Sequence, residues 1–117
     1  MNWEEIKNKS PKAFKGMADW VMKTQLYHTN PFIHFFNQKE QSNAYRILYD
    51  FFDEQEIFID TYYTLSCFRG RIGFNKHIVD SQEWLRDSVW TDKRETRTEA
   101  EQEAFTKAFE ILEERLK

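Results

Sequence analysis

Ile57-Phe58-Ile59-Asp60-Thr61-Tyr62-Tyr63-Thr64-Leu65-Ser66-Cys67-Phe68-Arg69-Gly70-Arg71-Ile72-Gly73-Phe74-Asn75-Lys76-His77-Ile78-Val79 is the stretch that decides the fold class. β-branched and aromatic residues dominate it, and its hydrophobic pattern has a period of two. Ile57, Ile59, Tyr63, Leu65 and Cys67 fall on one side of an extended chain; Phe58, Asp60, Tyr62, Thr64, Ser66 and Phe68 fall on the other. Gly70-Arg71 reads as a two-residue hairpin loop, which sets Cys67 opposite Phe74 and Phe68 over Gly73 and makes the apolar faces coincide. A 57–79 hairpin follows.

A lone hairpin is marginal in water and needs cover. The flanking sequence supplies it in helical periods. Ser10-Pro11 is a start signal, because Ser caps exposed amides and Pro fits a first turn that has no use for its missing N–H. Phe14, Met17, Ala18, Val21 and Gln25 then recur at three- and four-residue spacing, with Trp20 widening the stripe. After Asn30-Pro31 and the apolar Phe32, Ile33, Phe35 and Phe36, a second helix runs from after Ser42 to about Glu54 and buries Ala44, Tyr45, Ile47, Leu48, Phe51 and Phe52. Thr96-Arg97-Thr98-Glu99 has the spacing of a capping box, and Ala100, Ala104, Phe105, Ala108, Ile111, Leu112 and Leu116 trace one face of the helix it opens. Residues 80–95 read as an irregular connection with a short helix or a third strand. The expected fold is α+β: N-terminal helices, a small antiparallel sheet built on the 57–79 hairpin, and a long C-terminal helix packed on one sheet face.

The chain has 117 residues, the size of one domain, and eleven Phe, five Tyr and four Trp to build a core without a metal or disulfide. A single α+β domain, 1–117, is expected. Seventeen basic and twenty acidic residues give a net charge of −3, which argues against attraction of the whole surface to nucleic acid or anionic lipid. Cys67 is the single cysteine, so no intrachain disulfide forms and a reducing, cytoplasmic setting is expected. The N-terminus mixes charged residues with Trp3 and Ile6 and lacks the apolar run of a signal peptide; no window approaches the roughly 18 apolar residues of a membrane span.

Three stretches in the same order carry a resemblance: Ser10-Pro11-Lys12-Ala13-Phe14; Leu48-Tyr49-Asp50-Phe51-Phe52-Asp53; and Thr96-Arg97-Thr98-Glu99-Ala100-Glu101 with the helix that continues to Ala108-Phe109-Glu110-Ile111-Leu112-Glu113. They resemble short uncharacterised proteins of bacteriophages and prophage-like elements of gut bacteria. The resemblance implies a genomic setting and carries no catalytic residues over.

Candidate chemistry is sparse. Asp50, Asp53, Glu54, Glu56 and Asp60 could supply oxygen ligands to a hard cation, but the stretch has no glycine for the sharp turn of an EF-hand loop and is interrupted by residues committed to packing. His28, His34 and His77 lack metal-ligand spacing, and Cys67 faces the predicted interior. The basic run Lys7, Lys9, Lys12 and Lys15 is interleaved with acids and reads as a solvated face. No catalytic, cofactor or metal residue is assigned; an enzyme would need a pocket joining groups such as Asp53, Glu56 and His77. The better candidates are aromatic: Phe58, Tyr62 and Phe68 on the outward hairpin face, with Trp84 and Trp90, as a surface for a protein partner or a second copy. The same face carries Arg69, Arg71 and Lys76, so the alternative is a domain that binds single-stranded nucleic acid by stacking and phosphate contacts. A non-enzymatic accessory protein acting through protein contacts is the favoured expectation.

Overall fold

Three of the four helices described here begin or end on a chemical instruction that satisfies backbone groups an isolated helix leaves open. A computed structural model describes residues 3–24, 41–74 and 89–117. Within them are four helices, α1 (Trp3–Lys9), α2 (Pro11–Thr24), α3 (Gln41–Glu54) and α4 (Arg97–Leu116), and three strands, β1 (Phe58–Thr64), β2 (Cys67–Gly73) and β3 (Val89–Trp90). The strands form one antiparallel sheet in the order β1-β2-β3. The architecture is α+β, with the C-terminal helix against the sheet. The chain divides into two compact units, Met1–Phe51 with Phe109–Lys117, and Phe52–Ala108.

In the first unit Phe14, Met17, Ala18 and Val21 of the expected α2 stripe are buried, and Ala13 is buried beside them. Ile47, Leu48 and Phe51 of α3 and Phe109 and Leu112 of α4 are buried as well, and Trp20 lies 5.6 Å from Phe51. The element α1 was not expected, since its charged residues hide a short stripe. Trp3 and Ile6 are spaced by three, both are buried, and Trp3 meets the Phe109 ring edge-on at 6.5 Å. Lys7, Lys9, Lys12 and Lys15 are exposed, and Lys9 pairs with Glu5 one turn away at 2.7 Å. Gln25, Asn30-Pro31 and the 32–36 segment lie outside the described residues.

The start of α2 falls at Ser10-Pro11 as the sequence implies, with Phe14 N donating to Ser10 O at 2.9 Å. The carboxylate that meets the first turn comes from 100 residues away. Lys12 N donates to Glu113 Oε1 at 2.8 Å and Ala13 N to Glu113 Oε2 at 3.3 Å. Glu113 is buried, and its carboxylate oxygens meet the positive end of α2 and accept from two amides at once.

In the second unit α3 ends in a Schellman turn. Ile57 N donates to Phe52 O at 2.9 Å and Glu56 N to Asp53 O at 3.1 Å, with Glu56 in the left-handed conformation at φ 58°. The turn drops Ile57 beside Phe52, both fully buried, and delivers the chain into β1. Phe52 stacks on Phe105 of α4, with ring centroids 6.4 Å apart.

The hairpin is real but its turn is elsewhere. Thr64 pairs with Cys67, Tyr63 with Phe68 and Phe58 with Gly73, so Leu65-Ser66, not Gly70-Arg71, form the two-residue loop. Both loop residues have positive φ, 48° and 67°, as a turn matching the strand twist requires. Gly70 sits mid-strand instead, paired with Thr61. Cys67 therefore shares a face with Tyr62 and is half-buried, rather than pointing to the interior.

Gly70 faces α4. A Cβ built there would lie 2.7 Å from Ala104 Cβ and 3.0 Å from both Ala100 O and Thr91 Oγ1. The small side chains at Ala100 and Ala104, both buried, let the helix backbone settle on the strand. Thr96 caps the helix as the sequence implies: Glu99 N donates to Thr96 Oγ1 at 3.2 Å, and the Thr96 hydroxyl donates to Glu99 Oε1 at 3.0 Å.

Removing the remote cap should be costly. Glu113→Ala strands two amides at the start of α2 and is expected to lower unfolding free energy by about 2 kcal/mol, read by urea denaturation; Glu113→Gln, which keeps one acceptor, should lose less. Equal stability of all three proteins would contradict the capping role.

Candidate functional site

The outward face of the sheet follows from register. Opposed residues in an antiparallel pair share a face, so Asp60 with Arg71, Tyr62 with Arg69, and Trp90 with Arg71 all project away from Gly70 and α4. Phe58, two and four residues from Asp60 and Tyr62, projects the same way and is half-buried.

These side chains form one cluster. The Arg69 guanidinium lies over the Trp90 ring at 5.2 Å. Arg71 lies 5.6 Å from both the Tyr62 and Trp90 rings. The two rings meet edge to face at 5.9 Å. Arg71 Nη2 donates to Asp60 Oδ2 at 2.6 Å, with the Arg71 side chain only 13% exposed. Asp60 Oδ1 also accepts from Thr61 N at 2.7 Å. Cation–π contacts of this kind hold rings and guanidiniums in fixed relation, while Tyr62 remains 46% exposed.

Trp90 takes its place because the next residue locks onto Gly70. Thr91 N donates to Gly70 O at 3.0 Å. The Thr91 hydroxyl accepts from Gly70 N at 2.8 Å and leans toward Gly70 O at 3.4 Å. Arg69 Nε donates to Thr91 O at 2.9 Å. Phe68 and Arg94 exchange backbone bonds of 2.8 and 2.7 Å, and Glu103 of α4 reaches this segment through Arg94 Nε and, at 3.4 Å, Asp92 N. The hydrogen bond from Arg94 holds the Glu103 carboxyl below the usual carboxylate range, against the opposing effect of burial.

Of the sequence-derived candidates, Tyr62, Trp90, Arg69 and Arg71 converge and Phe58 shares their face. Phe68 does not: it pairs with Tyr63, meets its ring at a tilt with centroids 4.9 Å apart, and lies on the α4 side of the sheet. Moving the turn to Leu65-Ser66 moves Phe68 to that face. Trp84, Lys76 and His77 lie outside the described residues. Two residues escaped the sequence reading: Asp60 as the partner of Arg71, and Thr91, which no motif marks. Asp50, Asp53, Glu54, Glu56 and Asp60 are all exposed. Among the described residues no group of three His, Cys, Asp or Glu side chains is placed to hold a metal ion, and no helix is long and apolar enough to cross a membrane.

Compared with protein-family models, curated proteins and solved structures, the chain finds no match.

The Glu103 contact gives a pH signature. A carboxyl whose folded pKa is depressed adds stability above its unfolded pKa of about 4.3, and that stability is lost as pH falls through the folded value. The stability difference between wild type and Glu103→Gln is expected to stay constant above about pH 5 and to shrink as pH falls below about 4. A difference that is flat or grows toward low pH in denaturation series would contradict it.

Proposed function

We propose that this chain is a non-enzymatic accessory protein that binds another protein through the outward sheet face centred on Tyr62 and Trp90. The observation that carries the reading is the fixed Tyr62–Trp90–Arg69–Arg71 cluster, in which Tyr62 is exposed and Trp90 and Arg69 are half-buried. Trp, Tyr and Arg are the residue types that dominate protein-interface energetics. Holding them in place beforehand lowers the entropy lost on binding.

The same geometry weighs against the single-stranded nucleic-acid alternative. A base needs an open ring face, whereas guanidiniums already lie over Trp90 and Tyr62. A run of phosphates needs a row of free cations, whereas Asp60 already pairs with Arg71 and, among the described residues, leaves only Arg69 uncompensated on this face.

The test is capture of the tagged chain's partner from nuclease-treated lysate, in parallel with Tyr62→Ala and Trp90→Ala. A stoichiometric protein retained by wild type and lost from both variants, with melting temperatures within a few °C of wild type, is the expected result. Nuclease-sensitive recovery would move the function to nucleic acid. A melting-temperature drop beyond about 8 °C would make the two rings structural instead.

A further inference from the structure

Arg69 and Arg71 sit on the same strand, the same face and the same tryptophan, yet they are engaged differently. Arg71 is nearly enclosed and its Nη2 is taken by Asp60 at 2.6 Å. Arg69 is half-buried and is held from behind: Nε donates to Thr91 O at 2.9 Å, and the guanidinium carbon lies 5.2 Å from the Trp90 ring centre. Both anchors fix the orientation of the fork, and neither uses the Nη atoms. Among the described residues no carboxylate is paired with Arg69.

We infer that Arg69 is the recognition point for a carboxylate on the protein partner, so that the partner segment seated on this face is acidic. This rests on the proposed function and names the chemistry of its partner. Charge complementarity supports it. Among the described residues the face bears two cations and one carboxylate, and that carboxylate is spent on Arg71, so the cluster keeps one positive charge in a chain of net charge −3. A guanidinium already held over a ring and hydrogen-bonded loses little freedom when it donates to a planar carboxylate in bidentate fashion, and the Trp90 and Tyr62 edges beside it offer apolar contact to the flanking residues. Lysine at this position would keep the charge and lose the fork and the Nε bond to Thr91.

The experiment follows the Arg69 Nε–H and Trp90 indole N–H signals of the full-length isotope-labelled chain by NMR. The probes are a capped hexapeptide of alternating glutamate and leucine, its glutamine counterpart, inorganic phosphate and an oligothymidylate. The expected result is saturable movement of both signals with the glutamate peptide, at least ten-fold weaker binding of the glutamine peptide, and at least ten-fold weaker binding of the glutamate peptide to Arg69→Lys. Arg69→Lys is first shown to melt near wild type. Equal binding of the two peptides, equal binding by Arg69→Lys, no binding of the glutamate peptide, or tighter binding of oligothymidylate or phosphate would each overturn the inference. Partner capture separates it from the reading beneath it. Retention of the partner by Arg69→Lys and Arg69→Gln, with loss by Trp90→Ala, removes the acidic partner and leaves the proposed function standing; retention by all three removes the proposed function.

Discussion

A helix backbone resting on a strand at van der Waals distance is the constraint on which the sheet unit depends. Gly70 is the place where it happens, because any Cβ there would collide with Ala104 Cβ and crowd Ala100 O and Thr91 Oγ1. The space is not merely small; it is bounded by helix backbone and by a helix residue with nothing to fold away. Close packing of this kind converts one missing methyl group into a fixed helix-to-strand distance. Phe52 and Phe105, Ile57 and Ile72 then fill the layer around that contact, all fully buried.

The outward face inherits its order from the same residue. Thr91 bonds to Gly70 through both backbone and hydroxyl, and this docks β3, which is only two residues long and has little ladder of its own. With β3 docked, Trp90 stands opposite Arg71, and Thr91 O is in place to hold Arg69. The proposed binding cluster is thus built on strands backed by a packed helix, where side-chain geometry is held more tightly than on loops.

The helices and the sheet class were legible in the sequence because their signals are local. Ser10-Pro11, the Thr96–Glu99 box and the Phe51-Phe52 stripe each act within one or two turns of themselves, and the structure uses all of them. The hairpin turn was misread because glycine has two meanings: freedom at positive φ, and absence of a side chain. Gly70 serves the second, while Leu65 and Ser66 adopt the positive φ values that glycine or asparagine more often supply. That shift of the loop transferred Phe68 to the helix side and Cys67 to the other. The aromatic and arginine candidates on alternate positions nevertheless survived in part, since Tyr62, Arg69 and Arg71 keep a shared face under the true register. Glu113 on α2, Asp60 on Arg71 and Thr91 on Gly70 were illegible for one reason: each acts on a residue at least eleven positions away, and no spacing rule reaches that far.

The same substitution at two glycines tests the account most directly. Gly16 lies in α2 with open space where its Cβ would be, so Gly16→Ala gains helix propensity and should raise unfolding free energy by about 1 kcal/mol. Gly70→Ala forces α4 off the strand and should lower it by about 2–3 kcal/mol, with loss of the Trp90 indole N–H chemical shift seen in wild type. Opposite signs in paired urea denaturations are the predicted result. A Gly70→Ala protein as stable as wild type, with Trp90 unmoved, would contradict the claim that this close approach organises the sheet and the face it presents.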